Sequence, residues 1–252
     1  MVQLGLDAKG LTTLGKMLHL PLSQTDTGYL THCALGELFG DDAPKPFSIE
    51  SAGGNGANVR VLGYTTANAD TLQTNAQLDA GPTVYEICDW DELAAKPMPE
   101  TFPEGMALQF ELRACPVVRK ASAGKGVNQN GDERTWEEGD ELDAFLAEAW
   151  TRPEDDDLNR EQVYREWLAR QFNIRGGAEV DSDAVAMTRF SIERMTRRTR
   201  GENRSVTMIK RPDVTLTGTL QVTDGDAFVD LLRSGLGRHK SFGYGMMKVR
   251  RA

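Results

Sequence analysis

Hydrophobic and polar positions alternate most regularly in the C-terminal third of the chain. Four apolar residues there are separated by threonine, glycine or glutamine: Val214, Leu216, Leu220 and Val222. A period of two predicts a strand with one buried face. A helix is predicted next, because Asp224 provides an N-cap, three apolar residues share one face, and Gly235 provides a C-cap. The pattern therefore predicts a strand followed by a helix that ends at Gly235.

A second regular pattern predicts a helix over residues 25–40, with a Thr-Asp-Thr cap and a terminal glycine. At about 100° per residue, its apolar positions form one broad arc: Leu30, Ala34, Leu35, Leu38 and Phe39. Tyr29 and His32 fall outside this arc, one turn apart, so we expect both to face away from the core. Gly28 and Gly36 flank them and leave room for a ligand to approach. Tyr29 and His32 are thus the first candidates for chemistry.

The remaining periodic segments predict two domains with similar element order. In the first half of the chain, the apolar stretches 1–6 and 11–22 predict a first strand, and the helix 25–40 follows it. The next predicted elements are strands 47–49 and 59–63 on either side of glycines 53–56, a helix at 70–78, and strands 84–87 and 107–113. We expect His19 on the first strand, as a structural or surface residue. The order strand-helix-strand-strand-helix-strand is that of a ferredoxin-like domain, which also underlies RNA-recognition modules.

A second unit of similar order is predicted after Pro116, from a helix at 160–172, a hairpin, the alternating strand, the capped helix and a returning strand. We therefore expect an α+β fold of tandem ferredoxin-like (RRM-like) domains, one over residues 1–115 and one over 116–252. A glycine-rich loop near the C-terminus belongs to the second domain. Each domain is long enough to bury its own core.

Composition narrows the class of protein. In 252 residues with 39% hydrophobic content, no apolar run approaches the roughly 20 residues of a membrane span, and no leader is visible. We expect a soluble cytoplasmic protein without a membrane partner. The three cysteines are too few and too scattered for a disulfide framework or a zinc cage, which predicts a reduced protein without a structural metal. The net charge of -9 argues, as an average, against a nucleic-acid partner.

The charge is, however, sorted along the chain. Residues 132–161 carry thirteen acidic side chains against three arginines, a net -10, and we expect a solvated face or loop there. Residues 189–211 carry eight basic against two acidic side chains, a net +6. Strand-like runs flank a turn at 201–203, so this basic segment predicts a β-hairpin able to follow a nucleic-acid backbone. Its candidate RNA ligands are Arg194, Arg197, Arg198, Arg200 and Arg204. An ordinary charged surface is the alternative.

Residues 235–245 form the second candidate for phosphate contact. Four glycines lie within eleven residues and are interleaved with Arg, His, Lys and Ser. Such a backbone turns freely and approaches a ligand closely, with donors for an anion beside it. The candidate RNA ligands of this glycine loop are Gly235, Gly237, Arg238, His239, Ser241 and Gly243, beside Lys240. A tight turn without a ligand is the alternative for glycine spacing of this kind.

Four segments together resemble the CasE family, which belongs to the repeat-associated (RAMP) proteins of CRISPR systems. They agree with that family in order and spacing: the Tyr-x-x-His motif at Tyr29 and His32, the junction Phe110–Pro116, the strand 214–223, and the glycine loop 235–245. Cys115 replaces an asparagine of the family's junction motif. Glu37 and Gly40 stand where some relatives carry Lys and Ser, and the acidic insertion 134–157 has no assigned counterpart.

The CasE family consists of the crRNA-processing endoribonucleases of type I-E Cascade. The resemblance implies tandem ferredoxin-like domains, no metal or other cofactor, and one cut at the 3′ base of the stem of a CRISPR repeat hairpin. It implies His32 as the catalytic histidine, Tyr29 as its partner and Lys240 as the loop lysine. The implied partners are the CRISPR repeat RNA hairpin, its crRNA product and the other Cascade subunits.

The residue chemistry fits this implication. Cleaving RNA without a metal requires a proton acceptor for the ribose 2′-hydroxyl and a donor for the departing 5′-oxygen, and an imidazole of pKa about 6.5 can serve either step. We hypothesise that His32 is the acid or base, that Tyr29 assists it, and that Lys240 and loop N–H groups stabilise phosphate charge. The products would be a 2′,3′-cyclic phosphate and a 5′-hydroxyl.

Two other classes of protein stay open. The first is a non-catalytic crRNA-binding subunit of a CRISPR effector complex, in which His32 would be incidental. The second is an unrelated binding module whose glycine loop holds a nucleotide or a phosphometabolite. That module would leave the arginine-rich hairpin without a role, and a salt-dependent affinity for hairpin RNA would argue against it.

Overall fold

The computed structural model of the chain describes residues 1–50, 58–128, 130–155, 157–198 and 206–252. Its helices are α1 Ala8–Met17, α2 Thr27–Phe39, α3 Ala69–Asp79, α4 Pro82–Tyr85, α5 Ala144–Ala149, α6 Arg160–Arg175 and α7 Gly225–Ser234. Its strands are β1 Val2–Asp7, β2 Phe47–Glu50, β3 Asn58–Gly63, β4 Cys88–Ala95, β5 Ala107–Ala114, β6 Val117–Arg119, β7 Gly124–Val127, β8 Glu133–Trp136, β9 Glu141–Asp143, β10 Ala178–Val180, β11 Ala186–Arg198, β12 Val206–Val222 and β13 Met247–Arg251.

The first sheet has the antiparallel order β2-β3-β1-β4, which is the order of a ferredoxin-like domain. Its central strand β1 places Leu4 and Leu6 in a fully buried core with the apolar faces of α1, α2 and α3. Burying each such leucine contributes roughly 1.5–3 kcal/mol. The arc predicted for α2 is part of this core, since Leu35 and Leu38 are buried.

Three expectations for the first domain were wrong. The apolar stretch 11–22 forms, as far as Met17, part of helix α1 and not a strand, because the side chain of Asp7 accepts from the N–H of Gly10 and caps a helix at that point. His19 therefore lies not on a strand but exposed in the turn after α1, with a left-handed φ of 54°. Residues 84–87 end the short helix α4, which starts at a proline, and the strand of this region is β4.

The second sheet has the order β10-β12-β5-β13, with β11 paired to β12. Its core lies between the sheet and the helices α6 and α7, and Leu108, Phe110 and Leu112 of β5 belong to it. The strand expected to close the first domain is thus the central strand of the second sheet. The expected boundary at residue 115 falls inside this second unit, and residues 96–106 connect the two. Both units have the ferredoxin-like strand order, which confirms the predicted fold class.

The acidic segment 132–161 is not simply a solvated loop. It contributes β8 and β9 to two small sheets and continues into α5. Trp136, Leu142 and Ala147 form a small core of their own, because the segment places apolar side chains among its acidic ones. Asp143 is buried and accepts from Arg160 at 2.7 Å and from the hydroxyl of Tyr164 at 2.8 Å. The segment therefore packs onto α6 through a satisfied carboxylate.

The predicted basic hairpin is confirmed. The strands β11 and β12 pair antiparallel from Ala186 opposite Thr217 to Arg198 opposite Val206. Arg200 and Arg204, two of its expected RNA ligands, lie outside the described residues, as do the side chains of Arg197 and Arg198. Over the described ranges, none of the helices combines the length and apolar character needed to cross a membrane.

Candidate functional site

Helix α2 presents Tyr29 and His32 away from the core, as the helical pattern predicts. Its N-cap is Asp26, whose side chain accepts from the N–H of Tyr29 at 2.9 Å. One face of the helix is buried in the first domain, whereas His32 is exposed and Tyr29 is half-buried. The two rings lie 6.3 Å apart between centroids, in an edge-on arrangement. The helix thus holds an imidazole and a phenol side by side at the surface.

The glycine loop meets α2 through Phe242, a residue that the sequence reasoning overlooked. The Phe242 ring stacks on Tyr29 with centroids 5.9 Å apart and lies edge-on to His32 at 5.5 Å. Its carbonyl oxygen comes 2.6 Å from the position that a Cβ would take on Gly28. The room expected beside Gly28 is therefore filled by the loop backbone. This contact places the glycine loop beside His32.

The conformation of the loop explains its glycine content. Gly235, Gly237, Gly243 and Gly245 all have positive φ, from 67° to 86°. At Gly245, a Cβ would also lie 2.4 Å from the carbonyl oxygen of Leu236, whose own N–H donates to the Gly245 carbonyl at 2.9 Å. These glycines let the loop fold back on itself, so the tight-turn interpretation also holds for them. The 3₁₀ turn Lys240–Phe242 lies between the two glycine pairs.

Arg238 and His239 of the loop are bound by the acidic segment. Nε of Arg238 donates to one oxygen of Glu141, and the His239 ring nitrogen Nε2 lies 3.0 Å from the other. Arg211 of β12 lies 3.4 Å from that second oxygen. The hydrogen bond with His239 and the charges of His239 and Arg238 hold the Glu141 pKa at about 2. Both expected RNA ligands therefore have an internal partner, and Glu141 is a second residue that the sequence reasoning missed.

Lys240 extends across the glycines of its own loop. Its side-chain carbons lie 3.1 Å and 3.0 Å from the positions that a Cβ would take on Gly235 and Gly245. Burial lowers the pKa of Lys240, and the positive charges of Arg175 and Lys45 lower it further. An anion placed beside this ammonium would relieve that repulsion. Ser241, the next residue, is half-buried.

The basic hairpin reaches α2 through a pair of hydrogen bonds. The N–H of Thr196 donates to Oδ2 of Asp26 at 2.7 Å, and the N–H of Asp26 lies 3.1 Å from Oγ1 of Thr196. Arg194, two residues earlier on β11, is exposed. Between the N-terminus of α2, the hairpin and the glycine loop lies a cavity of about 560 Å³. The structure thus brings together the helix, the loop and the hairpin that sequence reasoning proposed separately.

Arg113 anchors the floor of this region. Its Nε and Nη2 donate to the buried carboxylate of Asp213 at 2.9 and 2.8 Å, and its guanidinium lies 4.6 Å above the ring of Tyr244. Burial acts to lower the Arg113 pKa, but the hydrogen bond and charge of Asp213 raise it above its ordinary value. Arg189 lies 3.4 Å from the same carboxylate. Arg113 belongs to the junction motif at 110–116, which was the available sequence signal for it.

Among the residues that the structure describes, no group of three or more His, Cys, Asp or Glu side chains is arranged to hold a metal ion. The arrangement that the described residues do provide is an imidazole, a phenol and an ammonium around one loop, with arginines nearby. These are the groups that transfer protons and stabilise charge at a phosphate.

The fold matches solved structures along the whole chain. Cse3 of Thermus thermophilus, bound to an RNA representing a pre-cleavage complex, gives a TM-score of 0.56 at 16% identity over 99% of this chain and 97% of that one. Cas6e of Escherichia coli K-12 gives 0.54 at 16% identity over 100% of both chains. One chain of a CRISPR RNA-guided surveillance complex, pre-nicking, gives 0.53 at 14% identity over 100% of both. The protein therefore has the tandem ferredoxin-like fold of these proteins.

The sequence identifies the family. It matches the family described as CRISPR associated protein over residues 11–251. The chain therefore belongs to this family of CRISPR-associated proteins, which confirms the CRISPR association that its motifs predict. Among curated protein sequences, no match was found.

Proposed function

We propose that this protein is a metal-independent endoribonuclease that binds the stem-loop of CRISPR repeat RNA and cuts once, at the 3′ base of the stem, to release mature crRNA. The observation that carries the proposal is the contact of Tyr29 and His32 with Phe242 of the glycine loop. In this contact, the proton-transfer pair lies against the loop that carries Lys240. An anion beside Lys240 would offset the nearby positive charges that lower its pKa. Family membership and the endoribonuclease Cse3 among the structural matches support the same reaction class.

The chemistry needs three actions at one phosphodiester. A base takes the proton of the ribose 2′-hydroxyl, the oxygen attacks the adjacent phosphorus, and an acid protonates the departing 5′-oxygen. His32 performs one proton transfer, a step that contributes roughly 10²–10⁴-fold. Tyr29, whose ring lies beside that of His32, assists this proton transfer, and Lys240 stabilises charge on the phosphate. The products are a 2′,3′-cyclic phosphate and a 5′-hydroxyl.

The stem of the RNA lies along the basic hairpin β11–β12 in this proposal. Arginines on a two-stranded ribbon contact phosphates or guanine edges. Arg194 is exposed on this hairpin, and the sequence that joins its two strands carries two further arginines, Arg200 and Arg204. Arg238 and His239 bind Glu141, so their main role in this proposal is to orient the loop and not to contact the RNA. The structural match to one chain of a CRISPR RNA-guided surveillance complex supports the other Cascade subunits as partners.

Single-turnover cleavage of a repeat hairpin tests the proposal. The substrate is a CRISPR repeat transcript that folds into a stem-loop, incubated with excess protein in EDTA. We expect one cut at the 3′ base of the stem and a cyclic phosphate on the upstream product. A 2′-deoxy nucleotide at the cut site removes the nucleophile, so cleavage should stop while binding stays nearly unchanged.

The same experiment separates the alternative function. A non-catalytic crRNA-binding subunit would bind both hairpins equally and cut neither. Cleavage that persists on the 2′-deoxy substrate would contradict the transesterification chemistry. Cleavage that requires an added divalent cation would contradict metal independence.

A further inference from the structure

We infer that the cavity of about 560 Å³ between α2, β11 and the glycine loop receives one unpaired nucleobase of the bound RNA. This inference rests on the proposed function, since it concerns the same RNA, but it adds a recognition site that cleavage chemistry does not require. The volume lies within the roughly 300–1,000 Å³ of small-molecule sites. Both domains contribute walls, because Ile49 and Val59 come from the first sheet and Arg113 and Tyr244 from the second unit.

The walls provide stacking surfaces. Proteins that read single-stranded RNA stack splayed-out bases on aromatic rings or on guanidinium planes. Phe242 lines the cavity as a half-buried ring, and Arg113 lines it with a side chain 22% exposed. The Nε and Nη2 donors of Arg113 are bound to Asp213, and one of its faces lies over Tyr244. What Arg113 offers to the cavity is therefore mainly a rigid planar surface rather than a free ionic partner.

The charges of the lining favour a base over a phosphate. Three arginines, Arg113, Arg189 and Arg194, line the cavity together with three carboxylates, Asp26, Glu50 and Glu193. The buried carboxylate of Asp213 also contacts two of those arginines. A phosphate would meet as many negative as positive groups, whereas a base edge carries both donors and acceptors and can use both kinds of side chain. A neutral, polar, planar ligand suits this lining best.

The position of the cavity indicates which nucleotide of the RNA supplies the base that enters it. Phe242 is at once a wall of the cavity and the ring that contacts Tyr29 and His32. Thr27 and Gly28, in the first turn of α2, also line the cavity, one turn before His32, and Gly28 packs against the carbonyl of Phe242. A phosphodiester at His32 therefore places one of its two flanking nucleotides at the mouth of the cavity. The base that enters belongs to a nucleotide next to the cut, where the stem ends and bases are unpaired.

A double-mutant cycle, which combines removal of a base from the RNA with filling of the cavity in the protein, tests this inference. Val59→Phe fills the cavity, and Thr219→Phe is its control in a separate cavity of about 480 Å³ formed by β5, β12 and β13. Affinities are measured for a repeat hairpin and for hairpins lacking one base on either side of the cut, all with a 2′-deoxy nucleotide at the cut site. For one of the two positions, we expect loss of the base to weaken binding roughly 5- to 100-fold in the wild type and Thr219→Phe. The loss should have no effect in Val59→Phe.

The inference is overturned if the wild type binds both base-less hairpins as tightly as the complete one, or if Val59→Phe shows the same loss. Should Val59→Phe fail to fold, 2-aminopurine at the two positions decides the question in the wild type. Binding should protect one of them from quenching by acrylamide, and equal quenching at both, bound or free, contradicts insertion. Cleavage of the all-ribose hairpin is scored separately, so failure of the proposed function and failure of this inference are distinguishable.

Discussion

Asp26 and Thr196 are joined by two hydrogen bonds that connect the helix carrying His32 to the basic hairpin. Oδ2 of Asp26 accepts from the N–H of Thr196 at 2.7 Å, while its Oδ1 caps α2 by accepting from the N–H of Tyr29 at 2.9 Å. One carboxylate therefore fixes both the start of the helix and its position relative to the basic hairpin. Thr196 is buried, at 2% exposure, so this connection is shielded from water.

Replacing Asp26 by Ala should lower both stability and cleavage. Loss of an N-cap costs about 0.5–2 kcal/mol, and loss of the hairpin contact leaves the N–H of Thr196 without its carboxylate partner. Asn68→Ala removes the N-cap of α3, where Asn68 accepts from Thr71 at 2.8 Å, and is the matched control. Thermal unfolding and single-turnover cleavage are measured for both variants. Equal cleavage by the two at matched stability would contradict a positioning role for Asp26.

Replacing Phe242 by Leu should reduce the rate of single-turnover cleavage, measured at protein concentrations that saturate the RNA. The ring holds Tyr29 and His32 through its stacked and edge-on contacts, and aromatic pairs are worth about 0.5–1.5 kcal/mol beyond burial. Tyr85→Leu removes a similar stacked contact, with Trp90 at 4.6 Å, far from the loop. We expect a cleavage rate at least about tenfold lower for Phe242→Leu and an unchanged rate for Tyr85→Leu. A normal rate in Phe242→Leu would show that the loop does not position the pair.

The Glu141 contact should make stability depend on pH in a defined window. The Glu141 pKa is about 2 in the folded protein, below its ordinary value of 4.5. The carboxylate therefore stabilises the fold fully above pH 4.5, and this contribution is lost as the pH falls from 4.5 towards 2. Glu141→Gln should lower the free energy of unfolding at neutral pH by about 1.5–3 kcal/mol. The difference in Tm between wild type and variant should shrink at pH values below 4.5, and a constant difference would contradict the assignment.

Replacing Lys240 by Met should weaken binding and cleavage together. If its ammonium meets a phosphate, its removal lowers the slope of log affinity against log salt by about 1. Lys16→Met, in the last turn of α1, removes an exposed ammonium elsewhere and is the control. Affinities for the 2′-deoxy hairpin are measured over a range of salt concentrations. An unchanged slope in Lys240→Met would place Lys240 away from the RNA backbone.

Much of this fold is predictable from the sequence because its local signals agree with its tertiary contacts. The caps and apolar arcs of α2 and α7, and the alternation of β12, predict those elements and the outward direction of His32. The expected strand at 11–22 failed because a short apolar run fits either a strand or a helix, and the cap at Asp7 selects the helix. The sheet to which β5 belongs is set by pairing with residues about a hundred positions away, which no local pattern reveals.

The candidate site was only partly predictable, for the same reason. Tyr29 and His32 can be identified from the sequence because they lie outside the apolar arc of helix α2. Phe242 looked like one aromatic residue within a loop, and only the fold shows that it meets both of them. Glu141 could not be told apart from the other acidic residues of 132–161, since its three basic partners lie about 70 to 98 positions away. Contacts between residues so far apart in the sequence produce no periodic pattern from which they could be predicted.

The most direct test of the central claim is single-turnover cleavage of the repeat hairpin by His32→Ala, with affinity for the 2′-deoxy hairpin measured in parallel. His19→Asn is the control, because His19 is exposed and its φ of 54° is one that Asn tolerates. We expect His32→Ala to cut roughly 10²- to 10⁴-fold more slowly than the wild type and to bind equally well, and His19→Asn to match the wild type in both. Cleavage by His32→Ala at the wild-type rate would contradict the catalytic assignment.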